Sequence, residues 1–157
     1  MKRFPCGQYG RQKLQFFAAP YRAPIRAFAA LVFPWHGDQI VLCNIADRGW
    51  CIPSGRVEPY ENSLEAARRE AVEEGGLVLS GIQYIGCYHI SERHEVRWAD
   101  CFAARVERFE EIQMCEESLG RQLYRLEEIG AIYHVWNELT ELVFQHSKEV
   151  IDRRGCL

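Results

Sequence analysis

Three glutamates, Glu70, Glu73 and Glu74, follow one another at intervals of three residues and one in a stretch of helix-forming composition. A helix turns by ~100° per residue, so positions i, i+3 and i+4 lie on one face and the three carboxylates share it. Carboxylates held this close repel and raise one another's pKa. A hard divalent cation relieves the repulsion, and oxygen donors completed by water suit Mg²⁺ or Mn²⁺. Arg69 stands four residues after Glu65 and four before Glu73, a spacing that pairs it along the helix and lets it orient a carboxylate. Glu61 and Gly55 lie in the segment leading in. That segment can return Glu61 to the cation, and a glycine admits close approach of backbone. Taken alone, Glu73 and Glu74 read as an ordinary solvated helix face. The wider spacing does not: seven identities at fixed intervals arise by chance on the order of once in a hundred thousand.

These residues need a helix, and the chain supplies one. From residue 62 to residue 74 nearly every residue favours helix. Asn62 and Glu65 have the spacing of a capping box, and Gly75 and Gly76 stop the helix. Leu64, Ala67 and Ala71 form a narrow stripe of mostly small apolar residues, centred ~100° from the carboxylates, which faces a sheet. Before the helix, residues 25–33 form an apolar run that reads as a strand, ended by Pro34 and the turn His36-Gly37-Asp38. Residues 39–45 form its hairpin partner, and Trp50-Cys51-Ile52 is a short strand stopped by Pro53. After the helix, residues 79–90 and 96–106 read as strands joined by a charged loop at 91–95, and residues 122–126 as a further strand. Residues 135–151 have helical spacing and form a C-terminal helix. Residues 1–24 read as an extension with at most a short edge strand. With no repeat, low-complexity tract or linker in its 157 residues, the chain is expected to be one domain.

Composition narrows the class. Apolar residues make up 48% of the chain, enough for a packed core. A net charge of −3 calls for neither nucleic acid nor an anionic membrane. No apolar stretch is long enough to span a bilayer or to follow the basic Lys2-Arg3 start as a signal peptide. The seven cysteines are odd in number and none pairs as CxxC, which argues against a disulfide framework or a zinc site. Cys43, Cys51, Cys87 and Cys101 stand in strand-like runs and read as buried reduced thiols, which fits a cytoplasmic protein.

The segment 55–77, GRVEPYENSLEAARREAVEEGGL, resembles the Nudix box: glycine, five residues, Glu, seven residues, Arg-Glu, an aliphatic, one residue, Glu-Glu, one residue, Gly and an aliphatic. Ala71 is small for its aliphatic slot, and Ser54 replaces a glycine in a lead-in similar to the family's Trp-x-aliphatic-Pro-Gly-Gly. The resemblance implies an α/β fold, an α/β/α sandwich with a mixed β-sheet. It implies Mg²⁺-dependent hydrolysis of the pyrophosphate bond in a small-molecule nucleoside diphosphate derivative, with Mn²⁺ as a substitute. Carried over residue by residue, Glu73 and Glu74 match the principal metal ligands, Glu70 a further ligand or the general base, and Arg69 the residue that orients a glutamate. Glu61 matches an auxiliary ligand and Gly55 a backbone contact. A glutamate ahead of the last strand serves as base in some members, which makes Glu116 and Glu117 candidates. For substrate contact, Arg93, His94 and Arg97 could meet phosphate, and Trp98 or Tyr88 could stack on a base, although core packing is the more ordinary role for both rings. Markers for ADP-ribose, dinucleoside polyphosphates or coenzyme A are absent from the expected places. The alternatives are a non-catalytic nucleotide sensor, an isoprenoid diphosphate isomerase on the same fold, and an acidic helix with no ligand. A homodimer through the extension or an open sheet edge is compatible with the sequence.

Overall fold

The computed structural model describes residues 3–155. Nine strands form one sheet: β1 (Gly7–Tyr9), β2 (Gln12–Ala18), β3 (Ala29–His36), β4 (Gln39–Ile45), β5 (Gly49–Cys51), β6 (Ser54–Arg56), β7 (Leu77–Glu92), β8 (Glu95–Phe109) and β9 (Ser118–Arg125). The main path runs β1-β2-β7-β8-β3-β4-β5, with β6 paired to β3 and β9 to β4. Only β3 and β8 run parallel among these strand pairs, so the sheet is mixed. Helix α1 (Ser63–Gly75) covers one face and helix α2 (Glu138–Gly155) the other.

Strand alternation sorts the core into two layers. Along β3, Ala30 and Val32 join the α1 layer, while Ala29, Phe33 and Trp35 join the α2 layer. Along β8, Phe102, Ala104 and Val106 face α1, whereas Ala99, Cys101 and Ala103 face α2. In α2, Leu139, Val143, Phe144 and Ile151 are buried, and Ser147 Oγ accepts a hydrogen bond from Trp35 Nε1 at 3.0 Å. That bond satisfies the one polar atom of a fully buried indole.

The sequence expectations hold for most elements and fail at instructive places. Of the two readings for residues 1–24, the edge strand is the one met, and it is a pair: β1 and β2 pair with each other at the sheet edge, and β2 runs along β7 from Lys13↔Ser91 to Ala18↔Gly86. The first apolar strand begins at Ala29 rather than at residue 25, because Arg26 anchors its segment to the carbonyls of Glu58 (2.6 Å) and Glu61 (2.9 Å) and leaves Ile25 exposed. Pro34 lies inside β3 instead of ending it. Val32 donates to the Pro53 carbonyl, and by strand alternation the missing N–H of Pro34 faces that same side, where pairing to β4 starts only at Trp35. The loop at 91–95 shrinks to Arg93-His94, because β7 and β8 stay in register to Glu92↔Glu95 and Arg93 takes a positive φ of 56°. The strand at 122–126 is longer, spanning β9, and is followed by a 3-10 turn at Leu126–Ala131 that the sequence did not reveal. The C-terminal helix starts three residues later than expected, at Glu138, where Asn137 Oδ1 accepts from the Thr140 N–H at 2.9 Å. Cys43, Cys51, Cys87 and Cys101 are buried free thiols as expected, and Cys156 lies outside the described residues. Among the described residues no helix is long and apolar enough to cross a membrane.

Candidate active site

Helix α1 is built as its sequence dictates. Asn62 Oδ1 accepts from the Glu65 N–H at 2.8 Å, and Glu65 Oε1 accepts from the Asn62 N–H at 3.1 Å, completing the capping box. This commits Glu65 to the cap, so Arg69 is not its i+4 partner. At the other end Gly76 takes φ 60°, ψ 37°, and a Cβ there would run into the Glu110 carbonyl. Arg121 donates to the Gly75 carbonyl at 2.8 Å, placing a cation on the negative end of the helix dipole. The apolar stripe is Ala66, Ala67 and Ala71, all fully buried. Leu64, expected in that stripe, is instead 37% exposed, and Ala66 is buried in its stead.

The small stripe matters because it brings the helix down onto β6. At Gly55 a Cβ would overlap the carboxyl group of Glu70. The glycine is therefore required by steric approach, with Glu70 lying directly over its Cα.

Arg69 is the hub of the cluster. Its Nε and Nη2 grip both oxygens of Glu61, at 3.1 and 2.6 Å, in a bidentate pair. Its Nη1 donates to Glu70 at 2.8 Å and to Glu73 at 3.1 Å, and Nη2 also reaches the Arg56 carbonyl at 3.0 Å. One guanidinium thus ties the entry loop, β6 and two of the helical carboxylates together. The Arg69 partnership, with a bond from the Glu58 N–H, holds Glu61 below the usual carboxylate range, and Glu61 in turn raises the pKa of Arg69.

Glu74 is held differently. It is 4% exposed, accepts from the Ser54 N–H at 2.8 Å and faces Arg48 at 3.3 Å. Burial pushes its pKa up to about 7, with repulsion from Glu70 and Glu117 adding to the rise. Glu70 is also raised, chiefly by burial. Glu117 is exposed, and its charge is felt by both Glu70 and Glu74. The Ser118 hydroxyl donates to the Glu74 carbonyl and fastens the start of β9 to the end of α1. Glu61, Glu70, Glu73 and Glu74, with Gly55 beside them, therefore gather where α1 meets β6. Among the described residues no three acidic, His or Cys side chains form a ready-made metal cage, since Arg69 and Arg48 hold the carboxylates.

Other sequence candidates sit elsewhere. Arg93 and His94 form the tip of the β7–β8 turn, and Arg97 lies over the Phe28 ring at 4.8 Å. Tyr88 and Trp98 are each 8% exposed and belong to the core. Sequence reasoning missed Arg48 and the bond from Ser54. Neither carries a spacing signal: Ser54 acts through its backbone N–H, and Arg48 sits in a turn whose neighbours Asp47 and Gly49 take positive φ.

The sheet flanked by two helices is an architecture shared with solved structures. The NUDIX domain model matches residues 24–152. The chain belongs to the Nudix family. It is 33% identical over 88 residues to YtkD of Bacillus subtilis (strain 168), whose assignment as an 8-oxo-dGTP diphosphatase is itself provisional. That match covers 56% of this chain and 56% of YtkD. Among solved structures, the Bacillus subtilis pyrophosphohydrolase BsRppH, crystallised as a mutant, aligns over 99% of this chain and 98% of its own, with a TM-score of 0.77 and 24% identity. A NUDIX hydrolase from Nitrosomonas europaea aligns over 79% of this chain and 90% of its own, with a TM-score of 0.65 and 19% identity. At these identities the structures establish the fold.

Proposed function

We propose that this protein hydrolyses the pyrophosphate bond of a nucleoside diphosphate derivative with the help of Mg²⁺, for which Mn²⁺ can substitute. The observation that carries this reading is the gathering of Glu61, Glu70 and Glu73 on Arg69, with Gly55 under Glu70 and with Glu74 held by Arg48 and the Ser54 N–H. The donor set fits a hard cation: all its atoms are oxygens, and burial with repulsion from neighbouring carboxylates raises the pKa of both Glu70 and Glu74. Glu73 and Glu74 would be the principal ligands, with Glu70, Glu61 and the backbone at Gly55 beside them. When bound, the cation neutralises the diphosphate oxygens and lowers the pKa of water. Arg69 holds Glu61, Glu70 and Glu73 in register. Glu117 is our choice of general base: it is exposed, within electrostatic reach of Glu70 and Glu74, and its carboxylate has no hydrogen bond or ion pair among the described residues. A base so placed can take a proton from attacking water. The names of YtkD and BsRppH, a diphosphatase and a pyrophosphohydrolase, agree with this reaction class.

The test is product release from nucleoside triphosphates, ADP-ribose, nucleotide sugars, dinucleoside polyphosphates and capped RNA, each with Mg²⁺, Mn²⁺ or chelator. Metal-dependent cleavage of at least one compound, lost in Glu73→Gln, is the expected result. Cleavage that survives both chelator and Glu73→Gln would sink the proposal.

A further inference from the structure

The two arginines that meet the carboxylates are held in different ways. Arg69 is gripped on every side: its three guanidinium nitrogens donate to Glu61, Glu70, Glu73 and the Arg56 carbonyl, and its side chain is 25% exposed. Arg48 has a lighter hold. Its Nη2 meets Glu74 Oε2 and its Nη1 meets Ser54 Oγ, both at 3.3 Å, and its side chain is 39% exposed. Charge-assisted hydrogen bonds usually close to ~2.7–2.9 Å, so the contact with Glu74 is long for its kind.

The backbone beneath Arg48 is fixed. Residues 46–48 link β4 to β5, with Asp47 at φ 69° and Gly49 at φ 90° on either side of Arg48. The Arg48 N–H donates to the Ile45 carbonyl at 3.0 Å, and the Ala46 N–H to the Glu117 carbonyl at 2.7 Å. The turn therefore aims the side chain at Glu74, and only the side chain is free to leave.

Glu74 thus has one fixed partner and one that can be exchanged. Its Oε1 accepts from the Ser54 N–H at 2.8 Å, a bond anchored by the pairing of β6 with β3. Its Oε2 faces the half-exposed guanidinium. The carboxylate is buried, so taking Arg48 away with nothing in its place would leave a buried charge without a counter-ion. A divalent cation on the same oxygen would stand against the guanidinium, where like charges repel.

We propose that Arg48 is a positioning residue that competes with the divalent cation for Glu74 Oε2: the guanidinium holds the carboxylate in place and swings out to solvent when the cation takes that oxygen. The inference rests on the metal-binding part of the hydrolase reading. Arg69, with many bonds to lose, keeps its glutamates throughout. The exchange limits metal affinity, because binding must undo the Arg48 contact.

The experiment is calorimetric binding of Mn²⁺, with Mg²⁺ in parallel, to the full chain without nucleotide, at a pH above the folded Glu74 value of about 7. Arg48→Gln removes the competitor and is expected to bind Mn²⁺ about fivefold more tightly than the native protein, the strength of a half-exposed ion pair. Loss of a positive charge by itself also favours a cation, and Ser54→Ala separates the two causes. It changes no charge, keeps the backbone N–H on Glu74 and removes the second anchor of the guanidinium; binding about twofold tighter is expected. Circular dichroism checks that both variants are folded. Affinity that is equal or weaker in Arg48→Gln overturns the inference, as does affinity that rises in Arg48→Gln but stays native in Ser54→Ala. Tighter metal binding in both variants, with no nucleotide hydrolysed by the native protein, overturns the hydrolase proposal and leaves this one standing; metal-dependent hydrolysis with equal or weaker metal binding in Arg48→Gln does the reverse.

Discussion

The two faces of the sheet are packed in opposite ways. Against α1 the contact is thin: Ala66, Ala67 and Ala71 meet Ala30, Val32 and Ala104. Against α2 it is thick, with Phe33, Trp35, Phe144, Leu139 and Ile151 interlocked and Phe33 and Phe144 ring to ring at 4.9 Å. The thin layer lets a helix settle until Glu70 rests on Gly55, so packing there serves to place carboxylates. The residues of α2 in the thick layer are large, and each removes more apolar surface from water than an alanine of α1 does. The small side chains of α1 set how closely it approaches the sheet, and the large ones of α2 fill the space on the other face.

Substitutions on the two faces should separate the two roles. The largest effect is expected from Phe144→Ala, which empties a fully buried position in the α2 layer. It should cost about 3–5 kcal/mol in urea unfolding while turnover at a temperature where the variant is folded stays near native. An equal loss of turnover would mean that the α2 layer also sets the site. Next comes Gly55→Ala, whose Cβ must displace Glu70. Turnover should fall on the order of 100-fold, as for a displacement of about 1 Å, with the unfolding midpoint little changed.

The third expectation concerns pH. Folded Glu74 titrates near 7 and its ordinary value is 4.5, so between these pH values the folded chain holds a proton that the unfolded chain has released. The contribution of this group is therefore full below about 4.5 and is lost as pH rises to about 7. Unfolding curves of metal-free native protein and of Glu74→Gln should diverge across that window, with the native protein losing ground as pH rises. Parallel curves would show that Glu74 is ionised at an ordinary pKa. The smallest effect is expected from Asn62→Ala, which removes the cap of α1 and should cost about 1 kcal/mol. A loss near that value would confirm that α1 is held by its own cap and a thin contact, since a thick contact would mask it.

Much of this could be read in the chain because it is local. The capping box, the terminal glycines and the i, i+3, i+4 carboxylates depend on residues within one or two helical turns, and all appear where their spacing puts them. What failed depends on partners far away. Pro34 is tolerated inside a strand because its missing N–H faces a gap in pairing. Leu64 is 37% exposed and Ala66 is buried in its stead, because the placement of the helix on the sheet decides which of its residues are covered. The first 24 residues read as an extension or a short edge strand because their one apolar patch, Leu14 to Ala19, is brief, yet β7 is long enough to pair with all but the start of β2.

Residue types and their intervals were enough to define the helix, the spacing of its glutamates and the family to which the chain belongs, since these follow from local composition and a fixed turn of ~100°. Which cation each carboxylate meets was settled only by folding. Arg69 takes Glu61, Glu70 and Glu73, whereas Arg48 and the Ser54 N–H take Glu74. Such pairings join the turn before β5, β6 and the entry loop to α1, and a one-dimensional pattern carries no record of contacts made by the turning back of the chain.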